Sequence, residues 1–302
     1  TSFGGAYWLW MTILFSFVMQ AVSYEFQNKI GNLLGARTFQ VLLIINGIVG
    51  PLLLGGAVAT FFNGSNFIVD KGNITSLAQP VISRWANCSH GLDALLDIWN
   101  LLLGIAIFFL ARVLGALYIL NNVKHEVICQ RARRQQLTNA VFFLVLFLTF
   151  LVRTLLKDGY AYNPQTGLIT MEPMKYLHNL LEMWPLLLVL LVGVGALLYG
   201  ILHTTLRISY TRGIWPAGVG VVLTVLVLLL CTGWNHTAYY PSNADLQSSL
   251  TIANSCGSRF TLTAMSIVSL LIPFVLAYIF IAWRAIDRKP LTEDEILEGE
   301  AY

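Results

Sequence analysis

The sequence predicts an all-α polytopic membrane protein, and three observations predict it. Its 302 residues are 57% hydrophobic and only 11% charged, whereas soluble domains carry about 25% charged residues. Seven stretches are apolar over about 20 residues, the length that crosses the hydrocarbon core. Strict alternation of apolar and polar residues is absent, which sets a β-barrel aside.

Taken in order, the spans are expected near 3–24, 39–62, 95–120, 137–155, 185–205, 215–233 and 262–283. The first begins almost at once, with FGGAYWLWMTILF, and stops before Glu25. The second carries Pro51 within GIVGPLLLGGAVAT. The third contains Arg112, in FFLARVLGALY. The fourth follows the polar run HEVICQRARRQQ and contains Arg153 near its far end. The fifth opens on Pro185 and includes GVGALLYG; the sixth includes AGVGVV. The seventh contains Pro273 and runs into a basic stop, RKP, and an acidic tail. Proline inside a helix removes a hydrogen bond, so Pro51 and Pro273 predict kinks.

Lys and Arg set the orientation. The loops after spans one, three and five, with the tail, hold eleven; the alternate loops hold five; Arg112 and Arg153 lie inside spans. This places the C-terminus in the cytoplasm and Thr1 outside, with HEVICQRARRQQ as the strongest cytoplasmic marker. The loops 63–92, 156–184 and 234–261 are then outer loops. Tyr, Trp and Pro at their edges read as interfacial anchors, and CTGWNHTAYYPS, from Cys231 to Ser242, reads as the outer end of span six. Two N-x-S/T sequons, at Asn73 and Asn87, fall outside and are read as chance. The first residue is Thr and no basic-then-apolar leader precedes span one, so the chain is expected to be cut at its N-terminus by processing or as a fragment.

An ionisable residue inside a span is by default a candidate functional residue. Arg153 can snorkel to the headgroups. Arg112 needs a carboxylate, a backbone carbonyl or a lipid headgroup. Carboxylates near membrane depth are few: Glu25 at the inner end of span one, Asp93 and Asp97 before span three, and Glu182 before span five. Glu182 is four residues after His178, which puts the two on one helical face. None is buried mid-span, so a proton path through this chain alone is incomplete. The five histidines, His90, His125, His178, His203 and His236, fall in loops or near span ends, which argues against a pair of haem ligands here. No phosphate loop, HExxH or nucleophile elbow is present. The four cysteines have no metal-ligand spacing. Cys88 and Cys256, the two in outer loops, are the pair that could form a disulfide, although unpaired thiols are the plainer reading. Small residues along spans two, five and six read first as close helix contacts. Gly50, Gly55, Gly56, Gly193 and Gly195 could alternatively line a lane for a small apolar molecule.

The residues also carry a resemblance. QAVSYEFQNKIG at the end of span one resembles the R-P-V-x-[FY]-[DE]-[FY]-R-x-K element of cytochrome bd quinol oxidase subunit II. PSNADLQSSLTIANSCGSRFTLT is similar, without gaps, to that family's P-S…S-L-T…S…L-T-L stretch before its last helix, and LTEDEI after the basic stop fits its tail. Glu25 and Lys29 match the first element, whereas Gln20 and Gln27 stand where the family often has Arg, and Ala21 where it has Pro.

The resemblance implies a nine-helix subunit of two four-helix units plus one, of which the seven spans are helices three to nine. Residues 1–62 are then the second half of the first unit, 63–92 an outer loop, 93–233 the second unit, 234–261 an outer loop, 262–283 the last helix and 284–302 a cytoplasmic tail. The family's acidic TDGFD and HWDGNQVW elements would precede Thr1. It also implies a haem-free subunit that stabilises a haem-bearing subunit I within a bacterial inner-membrane complex. That complex oxidises quinol and reduces O2, with haem b and haem d in the partner. This chain alone is expected to bind no metal or cofactor. The resemblance leaves open a structural quinone, an O2 or proton route, and a small single-helix accessory subunit; no nucleic acid is expected. Glu25, Lys29, Arg112, Arg153, His178 and Glu182 are the candidate charge-path or interface residues. The alternatives are a stand-alone secondary transporter, weakly allowed by the two prolines, and a purely structural membrane subunit.

Overall fold

A computed structural model describes residues 5–27, 29, 34–70, 72 and 82–286. Seven helical segments are long and apolar enough to cross a membrane. They are α1 (Tyr7–Phe26), α2 (Ala36–Asn63), α3 (Ile98–Asn122), α4 (Glu126–Leu156), α6 (Trp184–Leu206), α7 (Ile214–Gly233), and a broken last segment. This last segment is α9 (Arg259–Ser269) followed by α10 (Ile272–Ile286); α5 (Lys175–Glu182) and α8 (Ile252–Ser255) are short helices in loops. Each spanning helix satisfies its own backbone, as hydrocarbon requires.

Two boundaries differ from expectation. HEVICQRARRQQ is not a loop: His125 caps α4 and the basic residues form its first turns. At 31 residues, α4 is about 46 Å long, well beyond a hydrocarbon core of ~30 Å. Its charged start can therefore remain helical outside the bilayer. The last span breaks at Leu270–Leu271, because Pro273 at the start of α10 cannot donate into the preceding turn. Pro51, in contrast, sits inside a continuous α2.

Helices α1 to α4 pack in sequence order, α6 packs on α7, and α4 with α6 and α3 with α7 join the two groups. The largest core cluster, including Phe62, Leu103, Val113, Leu117, Phe143 and Ile201, lies among α2, α3, α4, α6 and α7. Lipid tails are as apolar as leucine, so these helices are held by close packing and polar contacts rather than by exclusion from water. Glycine sets the approach. A Cβ on Gly55 would lie 2.8 Å from Gly104 Cα, and one on Gly220 would lie 2.5 Å from the Gly193 carbonyl oxygen. Amide side chains tie the seams: Gln136 Nε2 donates to the Ile201 carbonyl at 2.9 Å. Arg133 donates to the carbonyls of Thr204, Arg207 and Ile208, capping the C-terminal end of α6.

The long loops build a small cap over one end of the bundle. Strands β1 (Phe67–Val69) and β2 (Ser83–Trp85) pair antiparallel, as do β3 (Gly159–Tyr162) and β4 (Ile169–Glu172). The stretch CTGWNHTAYYPS and the residues after it hold the two hairpins together. Ala238 pairs with Tyr160 through its backbone N–H, and Val69 N–H donates to Ser248 Oγ at 2.9 Å. Gln247 bonds both the N–H and the carbonyl of Ile169. Tyr240 is fully buried, stacked on Phe67 and accepting from Ser65 Oγ at 2.9 Å. The stretch does end span six, with Cys231–Gly233 in α7 and Trp234 54% exposed, but beyond it the expectation of an interfacial turn is corrected: Thr237, Ala238 and Tyr240 have no exposed surface and lie inside the cap. α9 and α10 have no buried residue among those described, and α10 flanks α3 and α7 across an open cavity.

Candidate functional site

Two clusters of polar side chains lie against the spans, one toward each end of the bundle. At the cap end, Asn63 closes α2 and is the centre of the first. Arg153 Nη1 reaches Asn63 Oδ1 at 2.9 Å and Lys157 Nζ reaches the same oxygen at 3.1 Å. Lys157 also donates to the Phe62 carbonyl at 2.5 Å. Asn63 Nδ2 in turn donates to Asn100 Oδ1 at 2.7 Å, and Asn100 donates to the Ala94 carbonyl. The Arg153 guanidinium lies over Trp99, 4.4 Å from the ring centroid, a geometry worth about 1–2 kcal/mol when desolvated. Asp97 accepts from the N–H groups of Trp99 and Asn100, capping α3.

Arg153 was expected to snorkel to the headgroups; it is instead bound to α2 and α3. Burial, and next the neighbouring Arg153 charge, push the Lys157 ammonium from 10.5 down to about 7, against a smaller opposing pull from Asp97. A neutral amine has two N–H donors, matching the two acceptors that Lys157 meets.

The second cluster faces Arg112. Ser16 Oγ donates to Asn46 Oδ1, and Asn46 Nδ2 donates to Gln20 Oε1 at 2.7 Å, joining α1 to α2 inside the apolar region. Gln20, Asn46, Gly50 and Arg112 line one groove of about 360 Å³. Arg112 itself donates from Nε to Asn139 Oδ1 at 3.2 Å and from Nη2 to Gln135 Oε1 at 3.4 Å. Its partners are thus amide oxygens, a class not among those expected. Gln135 and Asn139 bracket the point where α4 turns apolar, so the charge is drawn toward the polar start of that helix. An arginine stays protonated. The groove therefore offers a fixed positive charge beside neutral amides and no group that passes a proton by itself.

The remaining candidates disperse. Glu25 and Lys29 form a 2.8 Å ion pair with exposed side chains. His178 and Glu182 do lie four residues apart on one helix, α5, but they take different partners: His178 lies 3.7 Å from Glu172, which also pairs with Lys175 at 3.1 Å. Glu182 accepts from Asn235. Cys88 and Cys256 are both free and exposed. Gly55, Gly56 and Gly193 are covered by Gly104, Leu95 and Thr224, and Gly195 has nothing within 4 Å of a built Cβ. Of the five glycines, Gly50 alone lines the groove beside Arg112.

Asn63, Asn100, Asn46 and Lys157 were not singled out from sequence. An uncharged amide in an apolar run was the signal for the first three; Lys157 looked like an ordinary loop cation. The sequon at Asn73 lies outside the described residues. At the second sequon, Asn87 donates to Asp93 at 3.0 Å. Burial works to raise the Asp93 pKa, but hydrogen bonds from Ser89, Asn87 and Asn66 outweigh it and hold the carboxyl below its ordinary value.

The comparisons with known proteins decide the family. The chain matches the family Cytochrome bd terminal oxidase subunit II over residues 1–286. It belongs to that family. No curated protein matches the chain. A terminal oxidase of this kind implies haem, and this chain's histidines do not fit it. His90 lies in a turn, His125 caps α4, His178 lies on α5, and His236 is in the cap. His203 Nδ1 is buried with no hydrogen-bond partner, but its ring is packed between Tyr199 at 5.0 Å and Tyr210 at 4.2 Å.

Proposed function

We infer that this chain is the haem-free membrane subunit of a quinol:O2 oxidoreductase. In this reading it stabilises a larger haem-bearing subunit I that carries haem b, haem d and the quinol site. The observation that carries the reading is the family match over almost the whole chain. The placement of the histidines supports it, because four of the five lie outside the spanning helices and the fifth, His203, is packed between Tyr199 and Tyr210. The long faces that the bundle leaves uncovered are in keeping with a subunit made to be packed against. On α1, Phe15 is 64% exposed and Val18 is 59% exposed.

The excess of Lys and Arg at the end opposite the cap supports a cytoplasmic location for that end, in a bacterial inner membrane. A structural quinone and a small accessory helix belong to the same reading. So does an O2 or proton route; the groove beside Gly50 is the open space that an O2 route would use, whereas a proton route needs groups beyond it. Oxygen affinity and turnover left unchanged by Gly50→Leu would remove the route from the reading.

The test is quinol-driven O2 uptake in membranes from cells that lack this gene and carry no other quinol oxidase. Uptake should be lost, and should return with the full-length gene. Uptake that persists without the gene would overturn the assignment.

A further inference from the structure

We propose that the end of the bundle opposite the cap holds one anionic diacyl phospholipid, its headgroup on Arg212 and Arg284 and an acyl chain along α7. Two cavities adjoin there and share lining residues. One, of about 750 Å³, lies between the end of α3, the start of α7 and α10, and is lined by Arg212, Arg284, Trp215 and Trp283, among others. The second, of about 560 Å³, shares Asn121, Trp215 and Trp283 with it and follows α3 and α7 past Tyr118, Gly218 and Val222. The first has charge at its mouth; the second is almost wholly apolar. That division is the chemistry of a phospholipid.

The two arginines supply the second, independent observation. Among the described residues neither guanidinium has a hydrogen-bond or ion-pair partner, although both line the same cavity. Arg212 lies just before α7, whose N-cap, Gly213, brings no side-chain cap. The positive end of that helix adds to the attraction for an anion. Trp215 and Trp283 flank the mouth, and indole rings favour the membrane interface. The floor of the apolar part is open because a Cβ on Gly218 meets nothing within 4 Å. From Trp215 to Val222 the groove runs about 10 Å along α7, a seat for the upper part of an acyl chain. Basic pockets between spanning helices select anionic lipid headgroups in this way. A quinone would use the apolar groove but would leave both guanidinium groups without a counter-charge.

The experiment uses the protein purified in detergent with whatever partners it carries, exchanged into nanodiscs of phosphatidylglycerol or phosphatidylcholine. Bound lipid is then counted by native mass spectrometry after release. The native protein should retain one phosphatidylglycerol more than Arg212→Gln/Arg284→Gln, and should not retain phosphatidylcholine. At about 1 kcal/mol for each basic residue, the double variant should bind roughly thirtyfold more weakly. Gly218→Leu, which fills the groove and leaves both charges, should also lose the lipid. Inorganic phosphate would bind Gly218→Leu normally, so that outcome identifies a simple anion site and overturns the proposal. Equal retention by the double variant, equal retention of phosphatidylcholine, or release of an isoprenoid quinone in place of phospholipid would overturn it as well. Both arginines are exposed, so their replacement leaves the bundle intact, and unchanged elution in gel filtration checks this.

Discussion

Gly104→Ala should part α2 from α3. A Cβ at Gly104 would sit 2.6 Å from the Leu52 carbonyl oxygen, and one built on the facing Gly55 would lie 2.8 Å from Gly104 Cα. The obstacle is backbone, so no side chain can turn aside. Ordinary contact begins near 3.4 Å, which requires the helices to separate by about 0.8 Å at the crossing. Such overpacking costs about 1–3 kcal/mol, and the contacts of Leu103, Ala106 and Leu110 loosen with it. The control is Gly195→Ala, where nothing lies within 4 Å; alanine there should be neutral or slightly stabilising, since it favours the helix. The assay is thermal unfolding of both variants in the same detergent, followed by tryptophan fluorescence. Equal transition temperatures for the two variants would refute the account in which glycines set the helix approach.

Four further outcomes follow from the polar contacts. Lys157 is protonated at 10.5 when unfolded and at about 7 in the folded protein, so unfolding takes up protons between these values. Its penalty on stability is full below pH 7 and is relieved as pH rises toward 10.5; at about 1.4 kcal/mol per tenfold change in the proton equilibrium, it amounts to on the order of 4–5 kcal/mol. Native protein should therefore gain stability relative to Lys157→Met over that range, and parallel curves would contradict the buried-amine reading. Asp93 behaves oppositely: its lowered pKa contributes stability above the ordinary carboxylate range that is lost as pH falls through it, and Asp93→Asn should flatten the acid limb of a melting-temperature profile.

Asn179 donates to the Cys231 carbonyl at 2.9 Å and Thr237 Oγ1 at 2.7 Å in the buried base of the cap. Asn179→Leu should cost about 1–3 kcal/mol, read as a lower unfolding midpoint. Arg112→Met removes the charge beside the groove but keeps the stem's packing. It should leave folding nearly unchanged, within about 1 kcal/mol by chemical denaturation, because the partners are amides and not a stranded carboxylate.

The seven spans were legible because apolar length is a direct physical demand of the bilayer. The boundaries that slipped did so for reasons outside hydropathy. The basic start of α4 is polar and therefore looked like a loop, yet helix continues into water wherever its residues favour it; Ala132, Gln135 and Gln136 do so. The cap was the least legible part. CTGWNHTAYYPS has the composition of an interfacial turn, and only the long-range pairing of its second half with residues near Ser65 and Tyr160 buries Thr237, Ala238 and Tyr240. Charged candidates were found because charge in an apolar run is conspicuous. Their partners were not, because Asn63, Asn139 and Asn235 are small, neutral and far apart in sequence. The first reading of the small residues in spans two, five and six, as helix contacts, fits Gly55, Gly193 and Gly220.

The central claim is tested most directly by a tagged purification of the full-length protein from its native membrane, followed by a reduced-minus-oxidised visible spectrum. The account predicts haem b and haem d bands that co-purify with a second, larger subunit. A colourless preparation without a partner would contradict it.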